Sequence, residues 1–321
     1  MNYIHEILPS GHDIYLFMER FDKVCVGGTR VRSYPSQKEA FLDCKRLSEA
    51  MSYKCAWAEL PWYGAKAVIN SEYSDLTEKD WAAYAKILNK LEGHFITATD
   101  VGVSLKDIAY LKTMTPYVST TDTAEATASV LIGCIRTVSR ITHIPLDTVL
   151  IHGMGKIGSL VAKMLYELNA SRIFICDIDR SRCDFFKKLD PIVFHVASPD
   201  DIDMSVDYLV PCSVGPVFTT ENAVDIKALV ICGAANSQLE NDGMAEYFHD
   251  RKILYIPDFI ANSGGILEVA VSEGVAGPGA IECVPKKLEK LIYKSRALRR
   301  SLLSIAKEKC QYTLAVKNAA A

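Results

Sequence analysis

Apolar residues along this chain fall at two spacings, and the change from one to the other marks out its elements. Residues 12–21 and 23–34 are β-rich runs of Ile, Tyr, Leu, Phe and Val. Ser36 then opens a helix, with Glu39 completing a capping box and Ala40, Phe41, Cys44, Leu47 and Met51 forming its apolar stripe. Thr77 starts a second helix, with Trp81, Tyr84, Leu88 and Leu91 turned inward. A strand over residues 94–97 leads to Asp100-Val-Gly102, and Ser104 caps a short helix. The polar loop at residues 120–125 precedes a helix over residues 126–141. From Val149 onward, strand and helix signals alternate. Strands are predicted over 149–152, 173–176, 192–195, 207–211, 229–232 and 253–257, which argues for a parallel, doubly wound sheet. The segment 286–309 is rich in Lys and Arg. Leu288, Leu291, Ile292, Leu298, Leu302 and Ile305 nevertheless recur at helical spacing, so it reads as an amphipathic helix pair with a solvated basic face.

Composition narrows the picture by exclusion. The chain has 321 residues, enough for two domains, and its 49% hydrophobic and 23% charged content is that of a globular protein. A net charge of −3, from 36 basic and 39 acidic residues, gives no argument for nucleic acid or an anionic membrane. No apolar run reaches the length of a membrane span, and the opening residues do not follow the pattern of a signal peptide. The 10 cysteines are scattered without C-x-x-C, as expected of reduced, buried thiols in a cytoplasmic protein. The seven histidines are isolated, and no metal site is expected.

Candidate chemistry begins at Gly153, Gly155 and Gly158, which fit G-x-G-x-x-G directly after the strand at 149–152. The first glycine permits a tight turn. The second lets backbone approach a pyrophosphate, and the third lets the helix pack close to the strand. Lys156 and Ile157, between the glycines, open the helix whose N-terminus would receive the phosphates. Ile157, Leu160, Val161, Met164, Leu165 and Leu168 form its apolar face. The next strand ends at Asp177, 19 residues beyond Gly158, where a carboxylate meets the ribose hydroxyls of NAD. Lys156 does not signal a P-loop, since no G-K-[ST] ending is present. In the first half, paired Gly27 and Gly28 inside a strand imply either a bulge or a close approach by a ligand. Lys54 and Lys66 bracket a segment rich in Ala, Gly and aromatics; for either lysine alone, a solvated role is the ordinary one.

Taken together, these segments resemble the glutamate/leucine/phenylalanine/valine dehydrogenases, and the leucine and phenylalanine branch most. The resemblance runs through Gly27-Gly-Thr-Arg30, Met51-Ser-Tyr-Lys54, Gly64-Ala-Lys66 and Thr97-Ala-Thr-Asp-Val-Gly102. It continues through Gly153 to Gly158, Gly233-Ala-Ala-Asn-Ser-Gln-Leu239 and Asn262-Ser-Gly-Gly265. It implies an α/β chain of two domains with a cleft between them. One is an α/β substrate domain, residues 1–124, joined by C-terminal helices at 290–321. The other is a Rossmann, doubly wound dinucleotide-binding domain, residues 125–289. The resemblance further implies NAD-dependent oxidative deamination of an L-amino acid, apolar or aromatic, to a 2-oxo acid and ammonium, in a cytoplasmic homo-oligomer. Lys66 and Asp100 would be catalytic, Lys66 activating water and Asp100 moving a proton on nitrogen. Lys54 would hold the substrate carboxylate, with Gly27, Gly28 and Asn262 placing the substrate. Thr127, Asp177, Ala234 and Asn236 would serve the cofactor.

The chain departs from the family pattern around these residues. Tyr63-Gly-Ala-Lys66 stands where the family usually has Gly-Gly-Gly-Lys, and Glu59 replaces a glycine in the preceding turn. Asp122-Thr-Ala-Glu125 replaces a proline-rich segment, while Trp57, Trp62 and Tyr63 add bulk. Two further readings stand beside the dehydrogenase. One is a reductase or reductive aminase on an unusual oxo acid or imine; the other is a non-catalytic dinucleotide-binding regulator. Retention of Lys54, Lys66 and Asp100 argues against the regulator.

Overall fold

Strand pairing separates the chain into two sheets, which belong to two units, one ending at Thr121 and the other beginning at Asp122. The structure is a computed structural model and describes residues 2–319.

The first unit comprises β1 (Asn2–Ile7), β2 (Asp13–Met18), β3 (Cys25–Arg32), α1 (Gln37–Trp57), β4 (Tyr63–Asn70), α2 (Glu78–Lys90), β5 (Phe95–Thr99) and α3 (Leu105–Lys112). Its sheet has the order β1-β2-β4-β3-β5. β2 runs antiparallel to β1 and β4, whereas β3 is parallel to both β4 and β5. Ser36 caps α1 as expected, its hydroxyl accepting from the Glu39 amide. One face of the helix then packs on β4. Tyr15, Phe17, Ala40, Cys44 and Val68 form a core there, with Tyr34 and Phe41 closing over it. A second tie is polar. Thr29 Oγ1 lies 2.6 Å from the Tyr84 hydroxyl and 2.7 Å from Thr97 Oγ1, linking β3 to α2 and β5 without leaving a buried hydroxyl unpaired.

The paired glycines of β3 answer to backbone. Val26 lies opposite Gly64 and Thr29 opposite Ala67, so the register crosses Gly27 and Gly28 with no extra residue and no bulge. A Cβ on Gly27 would sit 1.8 Å from the Ala65 carbonyl oxygen. The sequence offered a bulge or a close approach by a ligand; the close approach at Gly27 is made by the backbone of β4.

The second unit comprises α4 (Ala124–Thr142), β6 (Thr148–His152), α5 (Lys156–Glu167), β7 (Arg172–Cys176), α6 (Ser181–Leu189), β8 (Phe194–Val196), β9 (Tyr208–Pro211), β10 (Val230–Ile231), α7 (Gly243–Asp250), β11 (Leu254–Tyr255), α8 (Asp258–Ala261), α9 (Gly264–Ser272), α10 (Ala280–Leu298) and α11 (Leu302–Ala319). The sheet is parallel throughout, in the order β11-β10-β9-β6-β7-β8. Chain direction through the sheet reverses between β6 and β9. In a doubly wound sheet, that crevice at the carboxyl ends of the strands is where dinucleotides bind. Val149, Leu150, Ile151, Ile173, Ile175, Leu209, Val210, Val230 and Ile231 are wholly buried, as a parallel sheet covered on both faces requires.

The last two helices pack within this second unit, where the family resemblance led us to expect them with the first. Leu288, Leu291 and Ile292 of α10 are buried, and α10 lies along α4. Pro285 seats against Gly133 of α4, where a Cβ would come within 2.7 Å of its ring. Arg140 of α4 pairs with Glu289 at 2.7 Å, Ser301 donates to Glu246 of α7 at 2.6 Å, and Lys307 pairs with Asp242. None of the ten cysteines is in a disulfide, and all but half-buried Cys212 and exposed Cys283 are buried. Among the described residues no cluster of His, Cys, Asp or Glu could hold a metal ion, and no helix is long and apolar enough to cross a membrane.

The Gly27 contact predicts a stability effect. Gly27→Ala should lower unfolding free energy by at least about 1–3 kcal/mol, the ordinary cost of overpacking. Gly277→Ala, with open space around its Cβ, should stay within about 0.5 kcal/mol of the parent. Urea denaturation of both variants checks the contrast.

Candidate active site

β4 is buried along nearly its whole length, and Lys66 is its only charged residue. With 5% of its surface exposed, Lys66 needs a partner. Asp100 provides it, with Lys66 Nζ 2.7 Å from Asp100 Oδ2. Asp100 follows β5 directly, and its loop is fixed on β3. The Val31 amide donates to the Val101 carbonyl at 3.0 Å. Gly102 turns with φ of 75°, where a Cβ would lie 2.1 Å from the Val31 carbonyl. Gly28 leaves room for the acid itself, since a Cβ there would come within 3.0 Å of Asp100 Cβ.

Asp100 is held from a second side as well. Arg30 Nε donates to the same Oδ2 at 2.8 Å, and Arg30 Nη1 donates to Asp43 at 3.0 Å. Asp43 also accepts from the Tyr34 hydroxyl at 2.6 Å and from Arg46 Nη2 at 2.7 Å. Burial pushes the Lys66 ammonium below the ordinary lysine value. Asp100 works against that shift and Arg30 adds to it. Burial works to raise the Asp100 carboxyl, but Lys66 and Arg30 overcome it and hold the group well below the usual carboxylate range. The result is an amine that loses its proton more readily than an exposed lysine, beside a carboxylate that stays ionised. Such a pair is equipped to take a proton from water and relay one to nitrogen.

Lys54 occupies the last turn of α1, where the helix dipole favours a cation, and is half-buried. The turn after it carries Glu59 at φ of 58°, a left-handed position that glycine adopts more readily. Sequence reasoning overlooked the part played by Arg30 and Asp43. A signal existed for each. Arg30 lies in a strand of small and apolar residues, and Asp43 stands beside Cys44 and one turn from Ala40, on the buried side of α1. A charge in either setting must be paired.

In the second unit the glycine motif has the geometry its spacing implied. Gly153 sits at φ of 104°, and a Cβ on Gly158 would lie 2.0 Å from the Gly153 carbonyl. Gly155, the N-cap of α5, has nothing within 4 Å of a built Cβ, so an approach to the helix N-terminus is open. Ile157 is half-buried, and exposed Lys156 pairs with Asp122 at 2.6 Å. Asp177 is more engaged than a free ribose ligand. Its Oδ2 accepts from the Met154 amide at 2.8 Å and its Oδ1 from the Asp179 amide at 2.9 Å. This carboxylate therefore fastens the glycine turn to the end of β7, and its remaining lone pairs are what a ribose would find.

Asn262, Ala234 and Asn236 come together at another part of this unit. Asn262 Nδ2 donates to the Ala234 carbonyl at 3.1 Å and to Asn236 Oδ1 at 2.9 Å. Asn262 Oδ1 is buried with no partner, an acceptor that a ligand N–H would satisfy. Thr127 Oγ1 donates to the Thr123 carbonyl at 2.7 Å, and a Cβ on Gly265 would lie 3.1 Å from that hydroxyl. The open glycine turn fits a dinucleotide, and the orphan amide oxygen fits the N–H of a ligand.

A doubly wound parallel sheet with this glycine turn defines a dinucleotide-binding fold, and the first unit carries a buried lysine–aspartate pair. Comparison with known proteins gives the family. Residues 19–117 match the Glu/Leu/Phe/Val dehydrogenase dimerisation domain, and residues 179–319 match glutamate/leucine/phenylalanine/valine dehydrogenase. The phenylalanine dehydrogenase of Caldalkalibacillus thermarum is 32% identical over 300 residues, covering 87% of this chain and 77% of that one. The L-tryptophan dehydrogenase of Nostoc punctiforme is 32% identical over 255 residues, covering 76% and 71%. A crystal structure of L-tryptophan dehydrogenase from Nostoc punctiforme shares the fold, with a TM-score of 0.80 at 24% identity over 99% of this chain and 96% of that one. The chain belongs to the glutamate/leucine/phenylalanine/valine dehydrogenase family, whose members are oxidoreductases acting on CH–NH2 groups.

Gly155→Ala separates fold from binding. The variant should unfold within about 0.5 kcal/mol of the parent, since its Cβ meets no protein atom. Dinucleotide affinity, measured by calorimetry, should fall about tenfold or more, because the methyl group fills the approach to the helix N-terminus.

Proposed function

We propose that this protein oxidatively deaminates an L-amino acid with an apolar or aromatic side chain, using NAD, and releases the 2-oxo acid and ammonium. The carrying observation is the buried Lys66 amine 2.7 Å from Asp100, its affinity for a proton lowered by burial. The bound nicotinamide supplies a two-electron acceptor for the hydride on the substrate α-carbon. Loss of that hydride leaves a substrate iminium, to which water must add. Neutral Lys66 takes the proton from the attacking water. Asp100 relays that proton from Lys66 to the amine nitrogen; Lys66 then takes the carbinolamine hydroxyl proton as the C–N bond breaks and returns it to the departing ammonia, which leaves with the oxo acid as ammonium. Lys54 meets the substrate carboxylate as a point charge, and the backbone at Gly27 and Gly28 helps to orient it. Asn262 uses its unpartnered oxygen toward a ligand N–H.

Three observations support the finer choices. Asp177 at the end of β7 would repel a 2′-phosphate, and nearby Arg182 is engaged by Asp177 at 3.5 Å and Asp179 at 3.4 Å, which favours NAD over NADP. The relatives include phenylalanine, tryptophan, leucine and valine dehydrogenases, and Trp62 and Tyr63 stand just before Lys66. Self-association is supported by the match of residues 19–117 to a dimerisation domain, and light scattering tests it.

A screen of NADH formation across the amino acids tests the activity; no turnover with any of them, or a clear preference for NADP, would overturn the reading. With the substrate found, Lys66→Ala should lower kcat by on the order of 10²–10⁴ while NAD still binds. Lys54→Ala should act chiefly on KM. Since Lys66 works as the neutral amine, kcat/KM should rise with pH to a midpoint below the ordinary lysine value of 10.5.

A further inference from the structure

The chain of charges behind Lys66 has a balance of its own. Asp100 Oδ2 accepts from Lys66 at 2.7 Å and from Arg30 at 2.8 Å, and Arg30 in turn reaches Asp43 at 3.0 Å. Arg46, nearer the surface, closes the chain on Asp43 at 2.7 Å. Two guanidiniums thus face two carboxylates, and the cluster is neutral when Lys66 carries no proton. A protonated Lys66 adds a cation in excess to a site where Lys66, Arg30 and Asp43 are all buried. Without Arg30, the same amine would face Asp100 as its sole close counter-ion and would hold its proton.

The uncharged titratable groups around Lys66 do not supply this effect. Cys44 on α1 donates to the Lys66 carbonyl at 3.3 Å, and burial pushes its thiol up to about 12, so it stays neutral. Tyr15 on β2 is also pushed up by burial, as is Tyr34, the latter further raised by its bond to Asp43. Glu19 after β2 accepts from Ser52 on α1. Lys54 stands two residues beyond Ser52 on that helix.

We propose that Arg30 is a positioning residue for the reaction: by sharing Asp100 Oδ2 with Lys66 it turns a buried ion pair into a carboxylate already neutralised, and so sets Lys66 free to act as a base. Asp43, with Tyr34 and Arg46 behind it, sets how much of the Arg30 charge Lys66 feels. The inference rests on the proposed role of Lys66 and adds residues that role does not name.

Two substitutions should move Lys66 in opposite directions, a result that loss of structure alone would not give. In protein labelled with [ε-13C]lysine, the Lys66 signal is identified by its absence in Lys66→Gln and followed against pH. Arg30→Met removes a cation and should raise the midpoint by on the order of one to two pH units. Arg30→Lys, which keeps the charge, should stay near the parent. Asp43→Asn removes an anion and should lower the midpoint. The rising limb of kcat/KM should follow each shift. If Arg30→Met does not fold, the Asp43→Asn shift decides. Unchanged midpoints, or shifts in the same direction, overturn the proposal. Failure of the functional reading would show differently, as no NADH formation by the parent protein while the titrations remain readable.

Discussion

One oxygen atom of Asp100 receives two nitrogen donors, and most of the first unit is arranged so that it can. Lys66 arrives from β4 and Arg30 from β3, so both strands must stand at a fixed separation. Asp100 arrives from the end of β5, so its loop must lie down on β3. The hydroxyl cluster of Thr29, Tyr84 and Thr97 ties the same strands from within. Burying a lone ion pair gains little against its desolvation, and breaking one costs on the order of 3–5 kcal/mol. The site tolerates burial because Arg30, Asp43, Tyr34 and Arg46 satisfy one another in sequence.

The second unit solves a different problem. Its sheet is apolar and closed on both faces, while its functional atoms lie at strand ends and helix starts. Gly155 keeps an approach open, Asp177 fastens the turn that contains it, and Asn262 offers one unsatisfied oxygen. The first unit is thus built around groups already satisfied by protein. The second leaves groups for a ligand to satisfy.

Much of this was legible in the chain, element by element. The Ser36 cap, the amphipathic stripe from Ile157 and the buried strand at Val149 each carry a local physical signal, and each element formed where the signal stood. β1 carried none that was strong enough; its stability comes from pairing with β2, a tertiary fact. β10 and β11 proved shorter than the apolar runs that predicted them, because hydrophobicity records burial and not where ladder bonds end. The residues of the lysine–aspartate pair came from a resemblance, and their distance from the fold. The roles of Arg30 and Asp43 were hidden because a sequence shows that a buried charge needs a partner without showing which. The C-terminal helices showed their apolar stripe plainly, but which unit would take it depended on α4 and α7.

The missing side chain at Gly27 has an effect beyond stability. With a carbonyl oxygen standing where its Cβ would be, the distance between β3 and β4 is fixed by main chain against main chain. Lys66 and Arg30 therefore inherit their spacing from atoms that every sequence has in common. Side chains elsewhere in the unit can change without resetting that spacing, because no bulky side chain wedged between those strands has to be re-fitted each time. An enzyme framed in this way can change its diet over evolutionary time while keeping its chemistry.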